Sequence, residues 1–373
     1  MNAAIETAFT TPLCRRLRVR FPIFGFSHSV DVCVAIARAG GFPVVGLARE
    51  MPEEIPDIIK SLERKMQGMP YGIDLMLPGG VPEHGNHASL QEALPIEQRN
   101  FVSALRQRFE IKPPSQPSFF TTQVRTQALF DQQIEQVLAS NATAIATAIG
   151  LRADLIVRAK AAGKMTFSLI GSPRHAAKAL DMGVDVLVAQ GYDAGGHTGP
   201  IGTMSLIPQI VELAGDTPVL AAGGIATGGQ ILGSMAMGAQ GAWLGTLWMA
   251  AKENHTPSAL LERLVNAASD DTVVTRAHSG KPCRVVRSAW IDAWEQTDAP
   301  APLPMPFQQV LTGDVFTSIH ETNDNRLIYE AAGQSLFAIR GQTTIAAQFE
   351  QLVSEMREAW LSLQPWAGGE TSA

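Results

Sequence analysis

The feature that most constrains this chain is a repeated alternation over its first 250 residues, where short unbroken apolar runs take turns with amphipathic ones. Strands covered on both faces read as continuous apolar runs, whereas half-exposed strands alternate residue by residue. The runs at 21–26, 42–48, 71–77, 142–149, 165–170, 184–190, 218–222 and 241–245 therefore predict eight parallel strands. Between them, 30–39, 53–67, 124–139, 152–162, 173–182, 205–213 and 228–237 predict helices, several stopped by a glycine, as at Gly40, Gly68, Gly163 and Gly183. Eight such units close into an α/β fold, the (β/α)8 TIM barrel, although an open doubly wound sheet carries similar local signals.

Two segments break the repeat. Residues 78–123 are too long for an ordinary crossover and carry PGGVPEHGNH and PPSQPS around a helix predicted at 96–109. They read as an insertion after strand three, above or beside the barrel. Beyond 251 the alternation stops, leaving a helix at 258–268, a polar stretch with PAPLPMPFQQ and a last helix at 343–363. The chain thus divides into a barrel, 1–251, and a C-terminal helical appendage, 252–373, packed on the barrel or capping its site.

Composition narrows the class of partner. Lys plus Arg number 29 against 35 Asp plus Glu, a net charge of -6 with no basic run to grip a phosphate backbone, so nucleic acid is not expected. Cys14, Cys33 and Cys283 are scattered and odd in number, which suits a reducing cytoplasm better than a disulfide framework. The opening MNAAIETAFTTPLCRRLRVRF lacks the apolar core of a secretory signal. Residues 217–251 are free of charge and long enough to cross a bilayer, but their glycines and Thr227 predict two buried strands around a short helix, not a membrane span.

Barrels do chemistry at the C-terminal ends of their strands and commonly bind phosphate after strands seven and eight. Here strand seven ends AAGGIATGG and strand eight ends WLGT. Gly223 and Gly224, with Gly245 and Thr246 beside them, allow backbone N–H groups to approach an anion. Strand six runs into AQGYDAGGHTG, where Gly195 and Gly196 free the backbone to bend around a planar ligand, and His197 titrates in the range a general base needs. Asp74 ends strand three and His28 follows strand one on the same rim; Trp243 is a core residue or a ligand-facing wall. His84 and His87 lie three apart but have no evident third partner, so no metal site is expected. The dinucleotide fingerprint, the Walker A loop and the G-x-S-x-G elbow are absent.

The combination of AQGYDAGGHTG, PVLAAGGIATG and GAQGAWLGT resembles the nitronate monooxygenase family, with further echoes at DDTVVTRAHSGKPCRVVRS and in the segment Ala332-Gly333-Gln334. The resemblance implies an FMN barrel that oxidises alkyl nitronates with O2 to a carbonyl compound and nitrite. It implies that Gln190 and Gly195 contact FMN, that Gly224 and the run Trp243, Leu244, Gly245 and Thr246 hold its phosphate side, and that His197 is the catalytic base. Small-molecule substrate and O2 are the expected partners, with His28 facing the substrate. Two departures stand out: the first strand ends IFGFSH where the family has an Ala-Pro-Met-Ala-Gly type segment, and strand three ends GIDL where it has Gly-Val-Asn-Leu, so that Asp74 puts a carboxylate for an amide. Trp243 also replaces a common glutamine. An NAD(P)H-dependent reductase of quinones or enoyl thioesters on the same fold, and a non-catalytic flavin-binding protein, are the alternatives.

Overall fold

The computed structural model describes residues 9–79, 83, 87–118 and 126–367. Eight parallel strands close a barrel in the order β1-β2-β3-β4-β5-β6-β8-β9. They are β1 (Ile23–Ser27), β2 (Phe42–Gly46), β3 (Gly72–Met76), β4 (Ala144–Ala148), β5 (Met165–Ile170), β6 (Val186–Gln190), β8 (Val219–Ala222) and β9 (Ala242–Leu244). The ring is joined where Ile23, Phe24 and Gly25 pair with Ala242, Trp243 and Leu244. Seven fall within the predicted runs, and β1 extends one residue past its run, to Ser27. The charge-free stretch 217–251 is β8, a helix and β9, and no described helix is long and apolar enough to cross a membrane.

Side chains alternate about each strand, so one set fills the barrel and the other meets the helices. Phe24, Phe42 and Phe167 form the interior, with ring centroids 5.7 to 6.3 Å apart, beside Val44, Val186, Val188 and Leu220. A helix not expected from the sequence, α1 (Pro12–Leu17), plugs the end where the strands begin by burying Leu13, Cys14 and Leu17 in this cluster. It starts on Thr11, whose hydroxyl accepts from the Cys14 amide, with proline in the first turn, and stops at Arg18 in the left-handed region.

The outer helices are α2 (Val30–Ala39), α3 (Ile55–Met66), α6 (Gln127–Ala139), α7 (Ala153–Ala161), α8 (Pro173–Asp181), α9 (Thr203–Ala214) and α10 (Gly228–Ala236). The insertion supplies α4 (His87–Glu92) and α5 (Ile96–Arg108). His84 lies outside the described residues, as does the His87 side chain, and no group of potential metal ligands occurs among those described.

The region after the barrel contains α11 (Ser258–Asn266), α12 (Ala289–Trp294), α13 (Phe307–Thr322) and α14 (Ile345–Ala367). It also holds β-structure not expected from the sequence. Strands β10 (Thr272–Thr275) and β11 (Cys283–Val286) pair antiparallel, and β11 pairs in turn with β7 (Gly196–His197), a two-residue strand inside the loop after β6. The insertion packs on this region: Val102 and Leu105 of α5 share a core with Trp290, Trp294, Leu327 and Tyr329. The Ser318 hydroxyl donates to the Lys112 carbonyl and the Ser118 amide to Asp314. Helix α14 instead seals the joint of the ring. Its Ile345, Phe349, Leu352 and Met356 share a core with Ile36 of α2 and Ile231 of α10, Phe349 stacks on Trp248 at 5.7 Å, and Glu355 accepts from the Gly228 amide at 2.7 Å.

Candidate active site

The ends of the strands and the covering C-terminal region enclose a cavity of about 1420 Å³. Every residue expected from the sequence to meet the flavin or the substrate lines it: His28, Asp74, Gln190, Gly195, Gly196, His197, Gly223, Gly224, Trp243, Leu244, Gly245 and Thr246. They arrive from β1, β3, β6, β8 and β9 because strand ends on one rim of a closed barrel converge.

His197 does not ride on a free loop. Its strand β7 is held by β11 through the pairs Cys283 with His197 and Arg284 with Gly196. The ring nitrogen Nε2 lies 2.7 Å from Ser279 Oγ, and the amide of Gln190 donates to the His197 carbonyl at 2.7 Å. Ser279, fully buried, was not identified from sequence; only its place in the AHSGKP echo could have pointed to it. The loop is pinned from the other side by the segment 332–334. A Cβ on Gly195 would stand 2.6 Å from the Gly333 nitrogen, the Gln334 amide donates to the Asp193 carbonyl at 2.9 Å, and the Gly333 amide donates to Thr246 Oγ1 at 2.9 Å. Gly195 thus serves close packing of two backbones as well as facing the cavity.

After β8 the chain turns at Gly223 and Gly224 with φ of +103° and +70°, the left-handed region that other residues enter only with strain. Within the described residues the amides of Gly223, Gly224, Gly245 and Thr246 make no hydrogen bond. Four unpaired N–H groups at the ends of adjacent strands fit the phosphate of a mononucleotide. Leu244 differs from its neighbours, since its side chain packs outward with the helices, leaving only its backbone to the cavity. Trp243 points inward and stacks on Phe26 at 6.3 Å and 21°, and Phe26 meets His28 edge-on at 5.3 Å, so the atypical end of β1 builds an aromatic wall.

His28 is open to the cavity but surrounded by protein; desolvation and the Arg49 charge push its pKa down to about 4. The neutral ring must carry its proton on Nδ1, 2.9 Å from the Gly46 carbonyl, which leaves Nε2 as an acceptor. Asp74 is only 5% exposed, and its Oδ1 is sealed from solvent without a hydrogen-bond partner. Burial raises its carboxyl well above the usual carboxylate range. The charged group suggested by the sequence is thus favoured as a neutral acid. Further along the wall Glu330 lies 3.5 Å from Arg49; although burial opposes ionisation, Arg49, His320 and His278 hold it down to about 2.

The fold and site can be set beside known proteins. The nitronate monooxygenase family model matches residues 17–355. "Putative monooxygenase Rv1533" of Mycobacterium tuberculosis is 37% identical, covering 82% of this chain and 83% of its own length. A "Probable nitronate monooxygenase" of Staphylococcus aureus is 26% identical over 87% of this chain and 91% of its own. Among solved structures, the nitroalkane oxidase of Streptomyces ansochromogenes superposes with a TM-score of 0.78 at 24% identity, covering 92% and 98% of the two chains. FabK of Thermotoga maritima does so at 0.74 and 22%, covering 95% and 99%; at such identities these two speak for the fold. A match spanning barrel, insertion and most of the C-terminal region, on a chain whose glycine turns and His197 meet in one cavity, makes this protein an oxidoreductase and a member of the flavin-dependent nitronate monooxygenase family.

Proposed function

We propose that this chain is an FMN enzyme that oxidises alkyl nitronates, and nitroalkanes by way of them, with O2 to a carbonyl compound and nitrite. The observation that carries the reading is the meeting of His197, Gln190 and Trp243 with the unpaired amides after β8 and β9 in one cavity. Bound there, FMN supplies the redox chemistry, and the protein supplies position and electrostatics. The amides of Gly223, Gly224, Gly245 and Thr246, with the Leu244 backbone, would take the phosphate. Gln190, Gly195, Gly196, Asp74 and Trp243 would surround the ring.

His197 then acts on substrate. Its imidazole takes the α-proton of a neutral nitroalkane, and as imidazolium it holds the nitronate oxygens produced. Ser279, 2.7 Å from Nε2, keeps the ring oriented while the charge changes. His28 Nε2 accepts from polar groups at the other side of the substrate. The test is an anaerobic spectrum of the yellow protein before and after ethyl nitronate and NADH. Bleaching by the nitronate, with FMN released by acid, supports the reading. Bleaching by NADH alone selects the reductase, bleaching by neither selects a non-catalytic flavin protein, and release of FAD refutes the phosphate assignment.

A further inference from the structure

The least explained group in the cavity is Asp74. Along β3, Ile73 and Leu75 pack outward against helices, so Asp74 between them faces the barrel interior, and it lines the cavity. Its neighbours in register are Gly46 of β2 and Ala146 of β4, and neither brings a charge or a hydrogen-bond donor. The polar groups of the same rim are otherwise engaged. From the β1 end, the His28 Nδ1 is turned onto the Gly46 carbonyl. Beyond β2, Arg49 pairs with Glu330. On β6, the Gln190 amide donates to the His197 carbonyl, and from β7 His197 meets Ser279. The strands β8 and β9 offer Ala222 and Trp243 at the rim, and β5 offers Leu169. No cation stands in the described structure to neutralise a carboxylate here, and an uncompensated one in such a place is far more costly than a protonated acid.

We propose that Asp74 works as a neutral carboxylic acid whose O–H is donated into the cavity, to an acceptor atom of the flavin ring. The inference rests on the cavity being the flavin site. It gives a hydrogen-bond partner to a buried carboxyl whose Oδ1 finds none in the protein, and it accounts for the tolerance of Asp at a position where the family resemblance puts Asn: both an amide and a protonated acid are donors. The two differ in one respect. An amide cannot lose its proton, whereas Asp74 can, and then presents a like charge to electron-rich atoms of the ring. The direction of the carboxyl shift, upward through burial, agrees.

The experiment uses the purified holoenzyme and the variant Asp74→Asn. The first readout is the infrared difference spectrum between them at neutral pH in H2O and D2O. A carbonyl band of a protonated carboxylic acid, present in the wild type, shifted by deuteration and missing from the variant, is expected; its absence overturns the proposal. The second readout is FMN affinity against pH. The wild type should hold FMN within about threefold of the variant at low pH and then weaken by about tenfold per pH unit once Asp74 ionises, while the variant stays flat. Identical profiles overturn the donor role. The infrared band reports Asp74 whether or not flavin is bound, so failure of the protein to bind FMN at any pH is a separate result, which refutes the flavin reading itself.

Discussion

Gly195→Ala tests how the site is held together. The added Cβ would lie 2.6 Å from the Gly333 nitrogen and 2.7 Å from the Ala332 carbonyl carbon, both backbone atoms that no rotamer change can move. Ordinary contact requires the two segments to part by about 0.8 Å. That separation stretches two hydrogen bonds now at 2.9 Å, from the Gly333 amide to Thr246 Oγ1 and from the Gln334 amide to the Asp193 carbonyl, past the useful range. At about 1 kcal/mol for each bond and 1–3 kcal/mol for overpacking, the expected loss is about 3–5 kcal/mol. Urea unfolding should show a lower midpoint at unchanged slope, and FMN content should fall with it, because the bonds tie down the loop after β6 and the turn after β9. Gly196→Ala is the control: its φ is +79°, but a Cβ there has space, the nearest atom being 3.9 Å away, so only backbone strain of about 1–2 kcal/mol is expected. A Gly195→Ala protein within about 0.5 kcal/mol of wild type, or no worse than the control, would show the contact to be soft and the reasoning wrong.

His197→Asn should cut nitroalkane turnover by about 10²–10⁴-fold with FMN content unchanged, and nitronate turnover by less, since a preformed nitronate has no α-proton to give; stopped-flow rates with both substrates decide it, and equal losses remove the base assignment. Gly224→Val should lower FMN occupancy, because a Cβ meets that of Asp193 at 2.9 Å and the φ of +70° strains any side chain; unchanged FMN affinity by fluorescence titration would assign the turn a packing role only. His278, held down to about 4 chiefly by desolvation, takes up its proton in the unfolded chain first as the pH falls below its ordinary 6.5. Its contribution to stability is therefore present above 6.5 and is lost between there and 4, by up to about 1.4 kcal/mol per pH unit. His278→Phe should flatten that part of the urea-midpoint profile, and a profile as steep as the wild type's would contradict the burial argument.

The barrel was legible because parallel strands buried on both faces leave unbroken apolar runs, and glycines mark where the helices between them end. What escaped notice had no comparable signal. Helix α1 has six residues, too few for a period to show. Helix α13 buries Gln308, Gln309, Thr312 and Ser318 together with Val310 and Val315, so apolar and polar residues do not sort onto faces. Strand β7 is two residues long and exists through pairing with β11, the paired residues lying 86 and 88 positions apart in the chain. The candidate site was legible as a set of positions, because strand ends on one rim must meet, but the state of a side chain there was not. Asp74 reads as a charge in the sequence and becomes a buried acid only once the strands around it are known, and Ser279 joins the site through a chain contact spanning 82 residues.

The helix that seals the barrel's joint ties the order of synthesis to the order of assembly. A ring has its first and last staves side by side, and here the bolt across them, α14, leaves the ribosome about a hundred residues after β9. Until then the faces of Ile36, Ile231 and Trp248 that it covers are bare, a greasy strip of the kind that chaperones and other nascent chains seize. The cavity's glycine turns flank that same joint, so a polypeptide halted before residue 345 carries all of their residues and lacks the fastening that keeps the two staves beneath them together.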